Sequence, residues 1–147
     1  MAAIRRAEVV WEGSLARGAG TVSAASSGAF SDLAVTWASR TERSDGKTSP
    51  EELLASAHAS CFAMALSFGL GNAGTPPEKL SVSSVVTFDQ VDGGWKVVSS
   101  ALTVRGVVPG LDEAGFKQAA EGAKENCPIS QALKGNVALS VDASLGS

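Results

Sequence analysis

One stretch of sequence constrains the fold more than any other: residues 53 to 70, from Leu53-Leu54-Ala55 to Ser67-Phe68-Gly69-Leu70, are mostly apolar and hydrophobic nearly all round a helical wheel. A helix with no polar face is buried at the centre of a fold or between subunits. Its start is well marked. Ser49 suits the N-cap, Pro50 the first helical position, and Glu52, three residues after Ser49, completes a capping box. Gly69, Gly71 and Gly74 are expected to end it, and Thr75-Pro76-Pro77 blocks any continuation. The run has about the length of a minimal membrane span. However, Glu51 and Glu52 precede it, and it contains His58 and three serines, which favours a buried helix of a soluble protein.

The segments around that helix read as strands. Glu8–Trp11, Thr21–Ala24 and Phe30–Trp37 form a β-meander, with turns at residues 13–20 and 26–28. Residues 41–49 are polar and charged and read as an exposed loop. Leu80–Asp89 and Trp95–Val108, rich in Val and Ser, flank Gln90-Val91-Asp92-Gly93-Gly94, a hairpin signal centred on Asp-Gly. Asp112 caps a helix from about Glu113 to Asn126, with Ala114, Phe116, Ala119, Ala120 and Ala123 at helical spacing. A short helix over 129–134 and a strand over 136–141 close the chain. The order βββ-α-ββ-α-β predicts an α+β class with mostly antiparallel strands around a long buried central helix. At 147 residues, 44% hydrophobic and 18% charged, the chain is expected to fold as one domain spanning 1–147.

A net charge of −3 and the lack of a basic cluster argue against nucleic-acid binding. No apolar signal region opens the chain, and a cytoplasmic setting is expected, where a cysteine pair is more often catalytic than structural. The two cysteines, Cys61 inside the central helix and Cys127 at a helix end, are the chemical feature to follow. A mid-helix cysteine is by default a small buried hydrophobe. To react it needs a thiolate, which burial opposes and a mid-helix site does not assist. A cation must therefore come from elsewhere, and arginine suits the task because it stays charged when partly buried. Pro128 places Cys127 at a bend. The negative end of the preceding helix makes Cys127 the poorer attacking group and the better resolving one.

These residues resemble the OsmC/Ohr family of bacterial organic hydroperoxide resistance. Thr48-Ser49-Pro50-Glu51-Glu52-Leu53-Leu54 through His58-Ala59-Ser60-Cys61-Phe62-Ala63-Met64-Ala65-Leu66-Ser67 is similar to its catalytic-helix motif, and Asn126-Cys127-Pro128-Ile129-Ser130-Gln131 to its second-cysteine motif. Trp11-Glu12-Gly13 and Arg17-Gly18-Ala19-Gly20-Thr21-Val22 match its N-terminal pattern, and Trp11-Glu12-Gly13 with Pro-Glu-Glu-Leu points to the OsmC subgroup. The resemblance implies an intertwined homodimer with both active sites at the subunit interface and the long helices crossing at its centre. It also implies Cys61 as peroxidatic thiol, Cys127 as resolving thiol, an activating arginine, and Glu51 orienting that arginine. Arg40, after the third strand, corresponds to the OsmC subgroup's arginine and is favoured; Arg17 corresponds to that of the Ohr subgroup. Organic hydroperoxides are the implied substrates, and a dithiol such as a lipoylated protein the implied reductant, with no metal or organic cofactor.

Ten residues separate Glu51 from Cys61, about 15 Å along one helix, so both cannot touch one arginine from the same straight helix. Glu51 of one subunit is therefore expected to serve Cys61 of the other across antiparallel central helices; its bland reading is stabilisation of a helix N-terminus. A binding or redox-sensing dimer without turnover is the alternative from another class. A Cys-His hydrolase using His58 is a third reading, disfavoured because it needs no Cys127 and lacks an orienting acid. A core histidine with satisfied hydrogen bonds suits His58 better, and metal ligation by His58, Cys61 and Glu51 lacks tetrahedral-site spacing.

Overall fold

The computed structural model describes Met1–Gly146. Ten elements follow in order: β1 (Glu8–Glu12), β2 (Ala19–Ser23), β3 (Leu33–Val35), α1 (Trp37–Thr41), α2 (Pro50–Asn72), β4 (Lys79–Val91), β5 (Gly94–Val107), α3 (Glu113–Asn126), α4 (Pro128–Leu133) and β6 (Ala138–Leu145). This is the α+β order expected, with the short helix read over 129–134 found as α4 and one short helix, α1, added. The chain groups into two compact units, Met1–Leu53 and Leu54 onward.

In the first unit β1, β2 and β3 form an antiparallel sheet with β2 central, pairing Val9 with Val22 and Thr21 with Ala34. The third strand is shorter than its sequence suggests. Thr36 caps α1: its hydroxyl accepts from the Ser39 amide at 3.0 Å, while the Ser39 hydroxyl accepts from the Thr36 amide at 3.0 Å. That reciprocal pair turns Trp37–Thr41 into a helical turn instead of strand and loop. Ser39 also donates to the Thr48 carbonyl at 2.9 Å, which ties α1 to the segment entering α2.

The helix α2 starts where the sequence says. The Ser49 hydroxyl accepts from the Glu52 amide at 3.1 Å, Pro50 opens the first turn, and the Glu52 carboxylate accepts from the Thr48 hydroxyl at 2.7 Å. It ends later than expected. Gly69 and Gly71 lie inside it because Leu70 between them is buried in the core, and the stop comes at Gly74, whose φ of +86° suits only glycine well.

In the second unit β5 is the central strand, antiparallel to β4 and parallel to β6. Asp92 and Gly93 both have positive φ, +51° and +83°, the geometry of a two-residue hairpin turn. The parallel β5–β6 pair needs a crossover, which α3 and α4 supply. Inward residues of the sheet, Leu102, Val104 and Ala143, pack with Phe62, Leu66 and Leu70 of α2 and Phe116, Ala120 and Ala123 of α3. By length and composition α2 could cross a membrane; here its stripe of His58, Phe62, Leu66 and Leu70 is buried in this core. Its other side is open: Met64 is 72% and Phe68 71% exposed.

Candidate active site

The two cysteines come together. Cys61 lies on α2 at the edge of the buried stripe, half-buried, packed against the core. Cys127 is fully buried at the joint where α3 ends and α4 begins. Its amide closes α3 on the Ala123 carbonyl at 2.8 Å, and its carbonyl accepts the Gln131 amide at 3.0 Å, opening α4. Pro128 at the first position of α4 requires the extended ψ of 125° found at Cys127. The bend read from the sequence is thus also the start of a new helix. Both sulfurs are free thiols, and Cys127 lies near enough to Cys61 to influence its ionisation.

Burial pushes the Cys61 thiol up from its ordinary value of 9.0, and the contact with Cys127 pushes the same way. One group opposes them: the backbone N–H of Ile129, in the first turn of α4, bonded to the Cys61 sulfur. A backbone donor to sulfur favours the thiolate. Sequence reasoning missed it, since any residue can supply an amide and only the Cys-Pro bend hints at where this one points.

His58 is the satisfied core histidine expected. It is 0% exposed; its Nδ1 lies 2.6 Å from the Ser100 hydroxyl and its Nε2 2.8 Å from the Ser130 hydroxyl. Burial lowers its pKa from 6.5, so the ring is neutral near pH 7. With each ring nitrogen already on a serine, His58 has none left to act as base for Cys61 or as a metal ligand.

Beside Cys61 opens a groove of about 870 Å³, walled by Met64 and Phe68 of α2 and by Ala119, Gly122 and Asn126 of α3. Its surface is mainly apolar. Two adjacent stripes of α3 explain it: Phe116, Ala120 and Ala123 fill the core, while the small residues Gly115, Ala119 and Gly122 leave space outside. Met64 and Phe68 line the groove, whereas Phe62 packs into the core.

In the first unit Arg40 and Glu51 form a two-pronged ion pair. Arg40 Nε donates to Glu51 Oε1 at 3.0 Å and Nη2 to Oε2 at 2.9 Å. The Arg40 guanidinium also lies 5.8 Å from the Trp37 ring centre. Glu51 is buried and Arg40 half-buried. The carboxylate does orient an arginine, and α1 is the element that sets that arginine in place. Arg17 sits in the exposed turn between β1 and β2, where its amide donates to the Ser14 hydroxyl at 3.3 Å.

The family model for OsmC-like proteins matches residues 43–142. The chain belongs to the OsmC-like family. Among curated relatives, the OsmC-like chain is similar to the peroxiredoxin OsmC of Escherichia coli strain K12, 40% identical over 135 residues, covering 92% of this chain and 93% of that one. An organic hydroperoxide resistance protein of Xanthomonas axonopodis pv. citri strain 306 is 33% identical over 91 residues, covering 61% of this chain and 62% of that one. Among solved structures, this OsmC-like fold resembles the organic hydroperoxide resistance protein OhrB of Bacillus subtilis, with TM-score 0.75, 25% identity and coverage of 95% and 98%. An OsmC from Legionella pneumophila matches with TM-score 0.68, 25% identity and coverage of 97% and 99%.

Proposed function

We propose that this protein is a thiol peroxidase that reduces organic hydroperoxides to alcohols, with Cys61 as the attacking sulfur and Cys127 as the resolving one. The observation that carries this reading is the proximity of the two free thiols, with Cys61 lining an apolar groove. The named relatives, a peroxiredoxin and hydroperoxide resistance proteins, support the same class of chemistry.

The roles follow from access. Cys61 lines the groove and is half-buried, whereas Cys127 is sealed, so a peroxide meets Cys61 first. The Cys61 thiolate attacks the distal oxygen of ROOH; the O–O bond breaks, the leaving alkoxide takes a proton and departs as ROH, and sulfur is left as sulfenic acid. Cys127 then gives up its proton and attacks that sulfur, forming the S–S bond and expelling hydroxide, which leaves as water. An external dithiol supplies the two electrons that restore both thiols, and a lipoylated protein is the donor the resemblance implies. An apolar tail in the groove contributes about 25 cal/mol per Å² buried, which favours alkyl hydroperoxides over hydrogen peroxide.

Within its own unit the Cys61 thiol stays protonated near neutral pH, so the reading needs a cation. Arg40, already oriented by Glu51, is the candidate, with Arg17 as the alternative. In an antiparallel pairing of α2 from two copies, Glu51 and its Arg40 would approach the partner subunit's Cys61. The exposed Met64 and Phe68 would gain cover in such a homodimer.

Stopped-flow reduction of cumene hydroperoxide with dihydrolipoamide, on wild type, Cys61→Ser and Cys127→Ser, tests this. Sustained turnover is expected only in wild type, no reaction in Cys61→Ser, and one oxidation without turnover in Cys127→Ser. Full turnover by Cys61→Ser would remove the peroxidase reading, and a single oxidation of wild type would mark a redox sensor of the same fold.

A further inference from the structure

A neutral histidine with both nitrogens bonded to hydroxyls is costly to build into a core unless it holds something. His58 lies three residues before Cys61 on α2, one turn away. Ser100, on the central strand β5, bonds its Nδ1 and also lies 2.9 Å from the Ser84 hydroxyl of β4. Ser130 bonds its Nε2 from α4, and it is the residue after Ile129 and the third after Cys127. One imidazole thus joins α2 to two strands and to the short helix that carries both other groups acting on the Cys61 sulfur.

Besides the Ser130 bond, the rotation of α4 is held by Ile129, which packs partly buried against the core. The helix is six residues long, and Ser130 is its buried side chain. The charged groups facing it come from α3 and its own end: Lys134 pairs with Glu125 at 3.3 Å, and Lys124 with Glu121 at 2.9 Å. The Lys134–Glu125 pair is exposed on both sides and holds little. A hydroxyl can donate or accept, so the ring is satisfied in either tautomer and needs no charge to grip both serines.

We propose that His58 is a positioning residue for the thiol pair: clamped between Ser100 and Ser130, it locks the first turn of α4 to α2, keeping the Ile129 amide on the Cys61 sulfur and Cys127 within reach. Its effect on turnover rests on the peroxidase reading above; its effect on thiol reactivity does not. Breaking the Ser130 bond leaves Ile129 as the packed side chain on α4 and loosens the helix's rotation. The amide then leaves the sulfur, and the thiolate loses its hydrogen bond.

The test is iodoacetamide alkylation of Cys61 across pH 6 to 10, followed by peptide mass spectrometry, on wild type, Ser130→Ala and Ser130→Thr. Threonine keeps the hydroxyl and adds one methyl at a residue that borders a cavity of about 140 Å³. Ser130→Ala should alkylate about tenfold more slowly at pH 7, the factor carried by one charge-assisted hydrogen bond, with its profile moved to higher pH. Ser130→Thr should return to the wild-type rate. A wild-type profile in folded Ser130→Ala, or equal slowing in both variants, overturns the proposal. If Ser130→Ala does not fold, Ser130→Val against the isosteric Ser130→Thr makes the same comparison. Alkylation needs no peroxide, so a protein without peroxidase activity would still give a clear answer here.

Discussion

Filling the groove should separate substrate binding from thiol chemistry, and Gly122→Leu is the substitution that does so. Gly122 lies mid-way along α3 on the groove face, and a Cβ built there meets no heavy atom within 4 Å. The new side chain therefore enters open space with no clash against the core stripe. An aralkyl tail that buries roughly 150 Å² in the groove would gain about 4 kcal/mol. If leucine takes half of that contact, the loss is about 2 kcal/mol, or roughly thirtyfold in kcat/KM for cumene hydroperoxide. Hydrogen peroxide has no tail, so its kcat/KM should hold within about twofold. Stability should move the other way, since replacing glycine inside a helix with leucine gains about 0.5–1 kcal/mol. Coupled turnover assays with both peroxides, beside urea unfolding, read all three effects. Equal loss with both peroxides, or unchanged kcat/KM with cumene hydroperoxide in a folded variant, would refute the assignment of this groove to the tail.

Two further expectations concern the core. A Cβ at Gly106 on β5 would lie 2.6 Å from Phe116 Cζ and 3.2 Å from Leu80 Cδ2, so Gly106→Ala should destabilise by about 1–3 kcal/mol in urea unfolding. Pairing it with Phe116→Leu should recover part of that loss; additive losses would show that the ring is not the obstacle. His58 makes stability depend on pH with a definite sign. Burial lowers its folded pKa below 6.5, so the unfolded chain binds more protons, and stability complete above about pH 6.5 should fall as pH drops through the folded pKa. Urea midpoints between pH 7.5 and 5 should show this slope in wild type and not in His58→Gln.

Much of the fold was legible where local chemistry and tertiary packing agree. Ser49-Pro50 at the start of α2, Asp112 capping α3 through the Gly115 amide at 2.8 Å, and Asp92-Gly93 between β4 and β5 each pair a side chain or dihedral preference with the boundary found. It failed where packing overrides propensity. Gly69 and Gly71 continue a helix because Leu70 is worth burying. The partial alternation of 30–37 hid a five-residue helix that depends on the Thr36–Ser39 box. In the site, the cysteines and His58 stood out by type. Ser100 and Ser130 lie 42 and 72 residues from His58, and nothing in a serine's type says which histidine it will meet. The Ile129 amide carried still less signal, because a backbone donor belongs to no residue type.

The same geometry explains why two such sulfurs need different surroundings. In the reduced pair Cys127 disfavours ionisation of Cys61, adding to the effect of burial. One sulfur must win. Cys61 has partial solvent access, an amide donor and an open groove, while Cys127 has 0% exposure and a helix C-terminus behind it. On the proposed reading this difference sets the order of attack before any peroxide arrives. The amide alone does not offset burial at Cys61, because its pKa is still raised. On the proposed reading the arginine supplies the rest, and a resting protomer keeps its nucleophile protonated until that cation is in place.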